Sequence, residues 1–418
     1  MPTLRPLIDR LPASKIREVA NAAIGRSDVL AFWFGESDET TPQFIREAAM
    51  RSIVDGETFY SHNLGLAELR EAIAAYVGSL HPRVGSDRIA VTSSGVSALM
   101  LAMQALVGAG DEVVAVVPVW PNLTAQPAIL GAHVTRFALR PAANGEWRLD
   151  VDALRRVVTD RTRVLLVNSP NNPTGWTLAR DEQELLLEHC RSTGTWIVAD
   201  EVYERIFFGT SAERTACAPS FASGEAGPGS AAPSLASGEA GPGSAAPSFL
   251  DIADVDDRLI VVHSFSKSFL MTGWRLGWLV VPPGAAPEFA KLIEFNTSCA
   301  PVFVQRAGLA ALDQAATFVP ALVERLRQCR DALLPRLREI PGVQVATPSG
   351  GLYAFFRAPG SDDSLAFAKR LVQDAGVGIA PGAAFGAEGE GWLRWCFASR
   401  DPARLGAGVE RLASFLAL

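Results

Sequence analysis

Lysine is scarce in this chain. Lys15, Lys267, Lys291 and Lys369 are the only four in 418 residues, while arginines are many. A biased genome explains that scarcity without any function, so each basic residue has to be judged by its position. The net charge of −7 argues against a nucleic acid as the main partner. The cysteines, Cys190, Cys217, Cys299, Cys329 and Cys396, are odd in number and widely spaced, with no CxxC. Neither a disulfide framework nor a zinc site is suggested. The histidines likewise show no ligand spacing. No apolar run reaches membrane-spanning length, and the first residues lack a basic stretch followed by an apolar core. A cytoplasmic location, with no membrane and no metal, is the expectation.

What is present is a composition of soluble globular type, 48% hydrophobic and 20% charged. At this length one core does not suffice, so two domains, or one large domain with an appendage, are expected. Arg88–Val91, Asp111–Val117, Val134–Leu139, Val164–Val167, Trp196–Ala199, Leu259–Val262 and Leu279–Val281 read as strands. Helical stretches such as Ser97–Val107 and Asp181–Cys190 fall between them. Several of these runs are apolar throughout rather than alternating, as in strands buried on both faces. The expected fold is therefore α/β, with a mainly parallel sheet covered on both sides.

Beyond Pro282 and Pro283 the character changes. Long amphipathic stretches (Ala286–Phe295, Phe303–Ala315, Ala321–Leu337) precede short strand candidates at Val343–Val345, Leu352–Phe356, Val377–Ile379 and Trp392–Phe397. A smaller α+β domain is expected over 284–418, joined by residues 1–40 through the apolar run Val29–Phe34. That leaves 41–283 as the large domain. Within it, residues 218–245 hold two copies of a 14-residue unit (218–231 and 232–245), and APSF begins again at Ala246. Rich in Gly, Ala, Ser and Pro, the unit has little to bury against its ordering entropy, and is expected to be a mobile surface insert with little function.

The chemistry gathers around Arg258–Trp278, RLIVVHSFSKSFLMTGWRLGW. A strand candidate there ends in Ser264, Ser266 and Lys267 and is followed by Arg275. Hydroxyls and an arginine suit a phosphate, and a lysine can bond covalently to a carbonyl carbon. Ser94, Gly95 and Val96 form a strand-to-helix turn, where free N–H groups and the helix dipole also favour a phosphate. Trp120, flanked by prolines, offers a flat ring for stacking. Asn172 (in NNPTG) and Asp200 and Tyr203 (in VADEVY) stand at or just beyond strand carboxyl ends, where open α/β sheets bind ligands. Taken singly, each is an ordinary turn or capping residue. Together they supply a phosphate site, a stacking ring, an acid for a pyridine nitrogen, donors for a phenolate and a reactive lysine, which is the requirement of pyridoxal phosphate.

The motifs NSPNNPTG (168–175), VADEVYE (198–204) and SFSKSFLMTGWRLGW (264–278) closely resemble those of the aspartate aminotransferase family, the class I/II aminotransferases of fold type I. The resemblance runs from about Ser14 to the end, the repeat excepted. It implies a large seven-stranded domain, a small domain built from both chain ends, and a homodimer with shared active sites. It also implies pyridoxal 5'-phosphate held covalently on Lys267, which then acts as base and acid. Asp200 would face the ring nitrogen, and Tyr203 and Asn172 the ring oxygen. Ser94, Gly95, Val96, Ser264, Ser266 and Arg275 would hold the phosphate, with Tyr60 reaching the other subunit's cofactor. Trp120 would stack on the ring, Arg394 would take the substrate α-carboxylate, and the Gly35 backbone would line the substrate site. The implied activity is amino transfer from an L-amino acid to a 2-oxo acid by a ping-pong route. A lyase or decarboxylase on the same fold is the alternative. An aminotransferase-like ligand-sensing regulator would need a DNA-binding domain ahead of a region that here starts within the first few tens of residues.

Two departures bear on substrate choice. Some prokaryotic relatives carry, in the phosphate turn, a lysine that serves a dicarboxylate side chain; here that position is Val96. No arginine stands in Asn296–Gln305 to serve a second carboxylate. Phe32, Trp33, Phe34 and Phe385 are expected mainly in the core; if one or two reach the pocket, an apolar or aromatic substrate side chain fits.

Overall fold

The structure, a computed structural model, describes residues 5–9, 11–81, 84–142, 145–209 and 245–417. The repeat at 218–245 lies outside them except for Ala245. Seven strands form the main sheet: β1 (Ile89–Thr92), β2 (Glu112–Val117), β3 (His133–Ala138), β4 (Thr162–Asn168), β5 (Trp196–Asp200), β6 (Leu259–Ser264) and β7 (Gly277–Val280). Their spatial order is β1-β7-β6-β5-β4-β2-β3. All neighbouring pairs are parallel except those made by β7, which runs antiparallel to both β1 and β6. The reason lies in the connection. Only residues 265–276 separate β6 from β7, too little for a helix-bearing crossover, so the chain doubles back as a long hairpin. That return carries Lys267.

The central strands are apolar on both sides and buried on both, and helices close each face in two hydrophobic clusters. β3, at the edge, carries the polar residues His133, Thr135 and Arg136 and is largely exposed. The register pairs Asn168 with Asp200 and Asp200 with Val262. The carboxyl ends of β4, β5 and β6 therefore come level along one sheet edge.

A second sheet holds β8 (Gln344–Val345), β9 (Tyr353–Arg357), β10 (Ala380–Pro381) and β11 (Leu393–Cys396), in the order β8-β9-β11-β10. Leu30–Ala31 pairs in parallel with Val377–Gly378, tying the start of the chain to its end. Phe32 stacks on the fully buried Trp395, with ring centroids 4.6 Å apart. The helix Ser364–Ala375, which the apolar spacing had not marked, is fixed at both ends. The Asp363 carboxylate accepts from the Ala366 N–H, and Gly376 turns the chain with φ of 62°.

Just past the repeat, the third APSF folds into the core. Ser248 and Phe249 are buried, and Ser248 donates to the Glu201 carboxyl at 2.6 Å.

Candidate active site

The strand ends and the second sheet enclose a cavity of about 960 Å³. Of the residues expected from sequence to hold cofactor or substrate, all line it except Ser94 and Tyr60.

Lys267 sits on the single helical turn Phe265–Ser268, entered directly from β6. Buried Phe265 and Ser268 anchor that turn, and the half-buried lysine donates from Nζ to the Gly35 carbonyl at 2.6 Å. Burial, reinforced by the charges of Arg394 and Arg275, pulls its pKa down to about 8. Gly35 has to be glycine, because a Cβ there would collide with the Tyr353 hydroxyl.

Asp200, at the end of β5, is 4% exposed. Its carboxylate accepts one long bond, from the Val202 N–H at 3.4 Å. Burial pushes it up to about 7. Tyr203 follows in the next turn, and its hydroxyl lies 2.6 Å from that of Tyr353 on β9. Burial is the main cause that moves both phenols up, Tyr353 to about 12 and Tyr203 well above the usual range.

Asn172 is fixed three ways. Its N–H donates to Asn168 Oδ1 at 2.8 Å, its carbonyl accepts from the Trp120 N–H at 2.9 Å, and its Oδ1 accepts from Arg394 at 3.0 Å. The side-chain NH₂ is left as a donor beside the cavity.

Arg394, on β11, is 2% exposed. Besides Asn172 it donates to the Trp33 carbonyl, and its Nε has no partner. The guanidinium carbon lies 4.4 Å from the Tyr353 ring centroid and 4.9 Å from that of Phe385. Among the described residues no carboxylate pairs with it. A buried guanidinium with no counter-charge is costly unless a ligand carries the anion.

The anion cradle is built from β1, β6 and β7. A Cβ on Gly277 would stand 2.6 Å from the Gly95 nitrogen, so the glycine lets β7 press against the turn that starts the helix Gly95–Leu106. Ser94 is the cap of that helix, and its hydroxyl accepts from the Ser97 N–H at 3.0 Å. Its hydroxyl is therefore engaged in the helix cap and Ser94 does not line the cavity, whereas Gly95 and Val96 of the same turn do. Ser264 and Ser266 hydroxyls lie 2.9 Å apart. Arg275, in left-handed backbone with φ of 56°, donates to the Thr272 carbonyl at 2.6 Å.

Tyr60 is 86% exposed, beside the equally exposed Phe59, and does not reach the cavity of its own chain. Phe32 and Trp33 lie in the core, whereas Phe34 and Phe385 line the cavity, dividing the four aromatics evenly. Tyr353, Asn168 and Arg136 also line the wall and were not singled out from sequence. Tyr353 alone left a signal, as one of only four tyrosines in the chain.

The sequence pattern describing aminotransferase class I and II matches residues 28–412. The chain belongs to that family. It is 30% identical to the aspartate aminotransferase of Thermotoga maritima over 98% of each chain. It is 29% identical to aromatic-amino-acid aminotransferase 2 of Thermococcus litoralis, over 94% of each chain. The crystal structure of aspartate aminotransferase from Thermotoga maritima superposes with a TM-score of 0.84 at 29% identity, covering 99% of this chain and all of the other. The fold is thus that of the fold type I aminotransferases and the protein is an amino-acid aminotransferase. Membership in this family implies dependence on pyridoxal phosphate, with an amino acid and an oxo acid as substrates. The residues present fit that cofactor: a lysine of lowered pKa, a buried carboxylate lacking a cation, and a glycine-lined anion cradle surround one cavity. Among the described residues, no helix is long and apolar enough to cross a membrane.

Proposed function

We propose that this aminotransferase binds pyridoxal phosphate covalently through Lys267 and moves an amino group from an L-amino acid to a 2-oxo acid in two half-reactions. The observation that carries the proposal is the convergence of Lys267, Asp200 and Arg394, all short of counter-charge, on one cavity. When bound, the cofactor supplies the electron sink for the bond broken at the substrate Cα. Asp200 holds a proton on the ring nitrogen, for which a buried carboxylate is suited. Tyr203 and the Asn172 NH₂ donate to the ring oxygen. Gly95 and Val96 N–H groups, the Ser264 and Ser266 hydroxyls and Arg275 hold the phosphate, while Trp120 covers the ring. Arg394 takes the substrate α-carboxylate as a bidentate pair. Lys267 Nζ, with a pKa near 8, accepts the Cα proton and returns it at physiological pH.

The unit proposed is a homodimer in the cytoplasm. Tyr60, Phe59, Val54 and Phe295 are each more than four-fifths exposed, which suits a face covered by a second copy. The four described cysteines are free, which suits a reducing compartment. The proposed division is a large domain over 41–283 and a small one from 1–40 with 284–418.

The purified protein is expected to show the visible absorbance band of a lysine-bound cofactor. An amino donor should bleach it and yield its 2-oxo acid. No band, or a band unchanged in Lys267→Ala, contradicts the proposal. Ammonia released without any oxo-acid acceptor would place the chemistry with the lyases instead.

A further inference from the structure

The α-carboxylate site at Arg394 fixes where a substrate's side chain begins. Phe385 lies against the Arg394 guanidinium and lines the cavity. Its backbone carbonyl accepts, at 3.4 Å, from Arg136 on the edge strand β3. Arg136 therefore stands one residue's breadth from the α-carboxylate site, on the same wall, where a side-chain carboxylate would meet it.

That guanidinium is already engaged. Its Nε lies 3.0 and 3.2 Å from the two Glu388 oxygens, and its Nη2 donates to one of them at 2.6 Å. The loop is shaped around this fork: a Cβ at Gly386 would collide with Arg136 Nη2, so the backbone packs directly on the charge. A bidentate pair of this geometry, about a quarter exposed on each side, has little to gain from exchanging its own carboxylate for a substrate's. Two further cations, Lys15 and Arg17, line the outer part of the cavity. Lys15 is one of the charges holding the Glu390 carboxylate low, and Arg17 is exposed, 5.9 Å from the Phe34 ring. Phe34, Phe385 and Val96 line the same cavity.

We propose that Glu388 masks Arg136, so that the side-chain pocket is electrically neutral and takes L-amino acids with large apolar or aromatic side chains, and that removing the mask opens it to dicarboxylic ones. This rests on the aminotransferase reading of the same cavity. The test is the rate at which L-phenylalanine, L-methionine, L-leucine and L-aspartate bleach the visible band of the loaded enzyme. A second readout, free of turnover, is the shift in melting temperature caused by 3-phenylpropionate or by succinate.

The wild type should use the apolar donors at least about tenfold faster than aspartate, the discrimination expected when one carboxylate has to be desolvated without a partner. It should bind 3-phenylpropionate in preference to succinate. In Glu388→Gln the phenylalanine-to-aspartate ratio should fall at least about tenfold, and in the double variant Arg136→Gln/Glu388→Gln it should return toward the wild-type value. Aspartate as the fastest wild-type donor, or a folded E388Q protein with an unchanged ratio, overturns the proposal. If E388Q does not fold, Arg136→Gln decides: an unchanged ratio supports the mask, and a selective loss of aspartate contradicts it. A protein that no amino acid bleaches fails the aminotransferase reading itself. One bleached fastest by aspartate keeps that reading and loses only this one.

Discussion

Two buried polar regions meet at the end of β5, and they are built on opposite plans. One starts at Asp200, the other at its neighbour Glu201. In the second, His81 bonds Glu204 through Nε2 and Asp251 through Nδ1, the latter at 2.7 Å. Glu201 accepts from the Ser248 hydroxyl at 2.6 Å and from the Phe249 N–H at 3.2 Å. Burial and the adjacent Glu204 hold the Glu201 carboxyl above the usual carboxylate range. Here each charge has an answer. In the first, Asp200 accepts a single long bond, Arg394 has no carboxylate, and Lys267 has only a carbonyl. Buried polar groups in folded chains are satisfied with few exceptions. Arg394 Nε is one such exception, and the cavity that Arg394 lines is also lined by Asp200 and Lys267, three ionisable groups with no ion pair among the described residues. The answered cluster holds the wall behind them and ties in the segment that follows the repeat.

The contrast can be broken from either side. Lys267→Ala should have the largest effect: loss of the visible band and a fall in transamination of roughly 10⁴-fold or more, with the fold intact by circular dichroism. His81→Leu attacks the answered cluster. It removes the cation that Glu204 and Asp251 share, and should cost about 3–5 kcal/mol in denaturant unfolding, with the absorbance band unchanged. Its pH dependence has a defined sign. Although burial opposes it, the Glu204 charge raises His81 to about 10. The stabilisation is therefore complete below the unfolded value near 6.5 and is lost as pH rises through about 10. The stability gap between wild type and variant should narrow between pH 7 and 10. Arg394→Gln should lower kcat/KM by the equivalent of about 2–5 kcal/mol, mostly through KM for the amino acid. Tyr353→Phe should be mildest. It keeps the ring under Arg394 and removes one hydroxyl contact to Tyr203, about 1 kcal/mol at most in either stability or kcat/KM.

The sequence carried the sheet and most of the polar residues that line the cavity for physical reasons that apply to both. Strands buried on both faces must be apolar throughout, so Val113–Val117 and Leu259–Val262 were legible. Residues beyond parallel strand ends must be polar if they hold a ligand, so Asn172, Asp200 and Lys267 stood out. Tyr353 had only its rarity to mark it, because it opens a strand, where an aromatic is expected for packing alone. Arg136 was hidden for a related reason, since an arginine on an edge strand is ordinary and its partner Glu388 lies far along the chain. For Ser94 the pattern pointed to the backbone of its turn, and the geometry adds that the hydroxyl caps the helix that follows. Tyr60 stands outside the cavity of its own chain, and no pattern within one sequence fixes its proposed contact with a second copy.

The claim that unanswered charge marks the ligand is tested most directly by Asp200→Asn, melted at pH 8 with and without pyridoxal phosphate. Burial raises the Asp200 pKa to about 7. Its ionisation therefore subtracts stability as pH rises from the unfolded value near 3.9 through about 7, and the whole cost is present at pH 8. The account predicts a crossing: the asparagine variant melts above the wild type without the cofactor and below it with the cofactor. A variant that melts below the wild type in both conditions would show that Asp200 is answered by the protein itself, and would contradict the account.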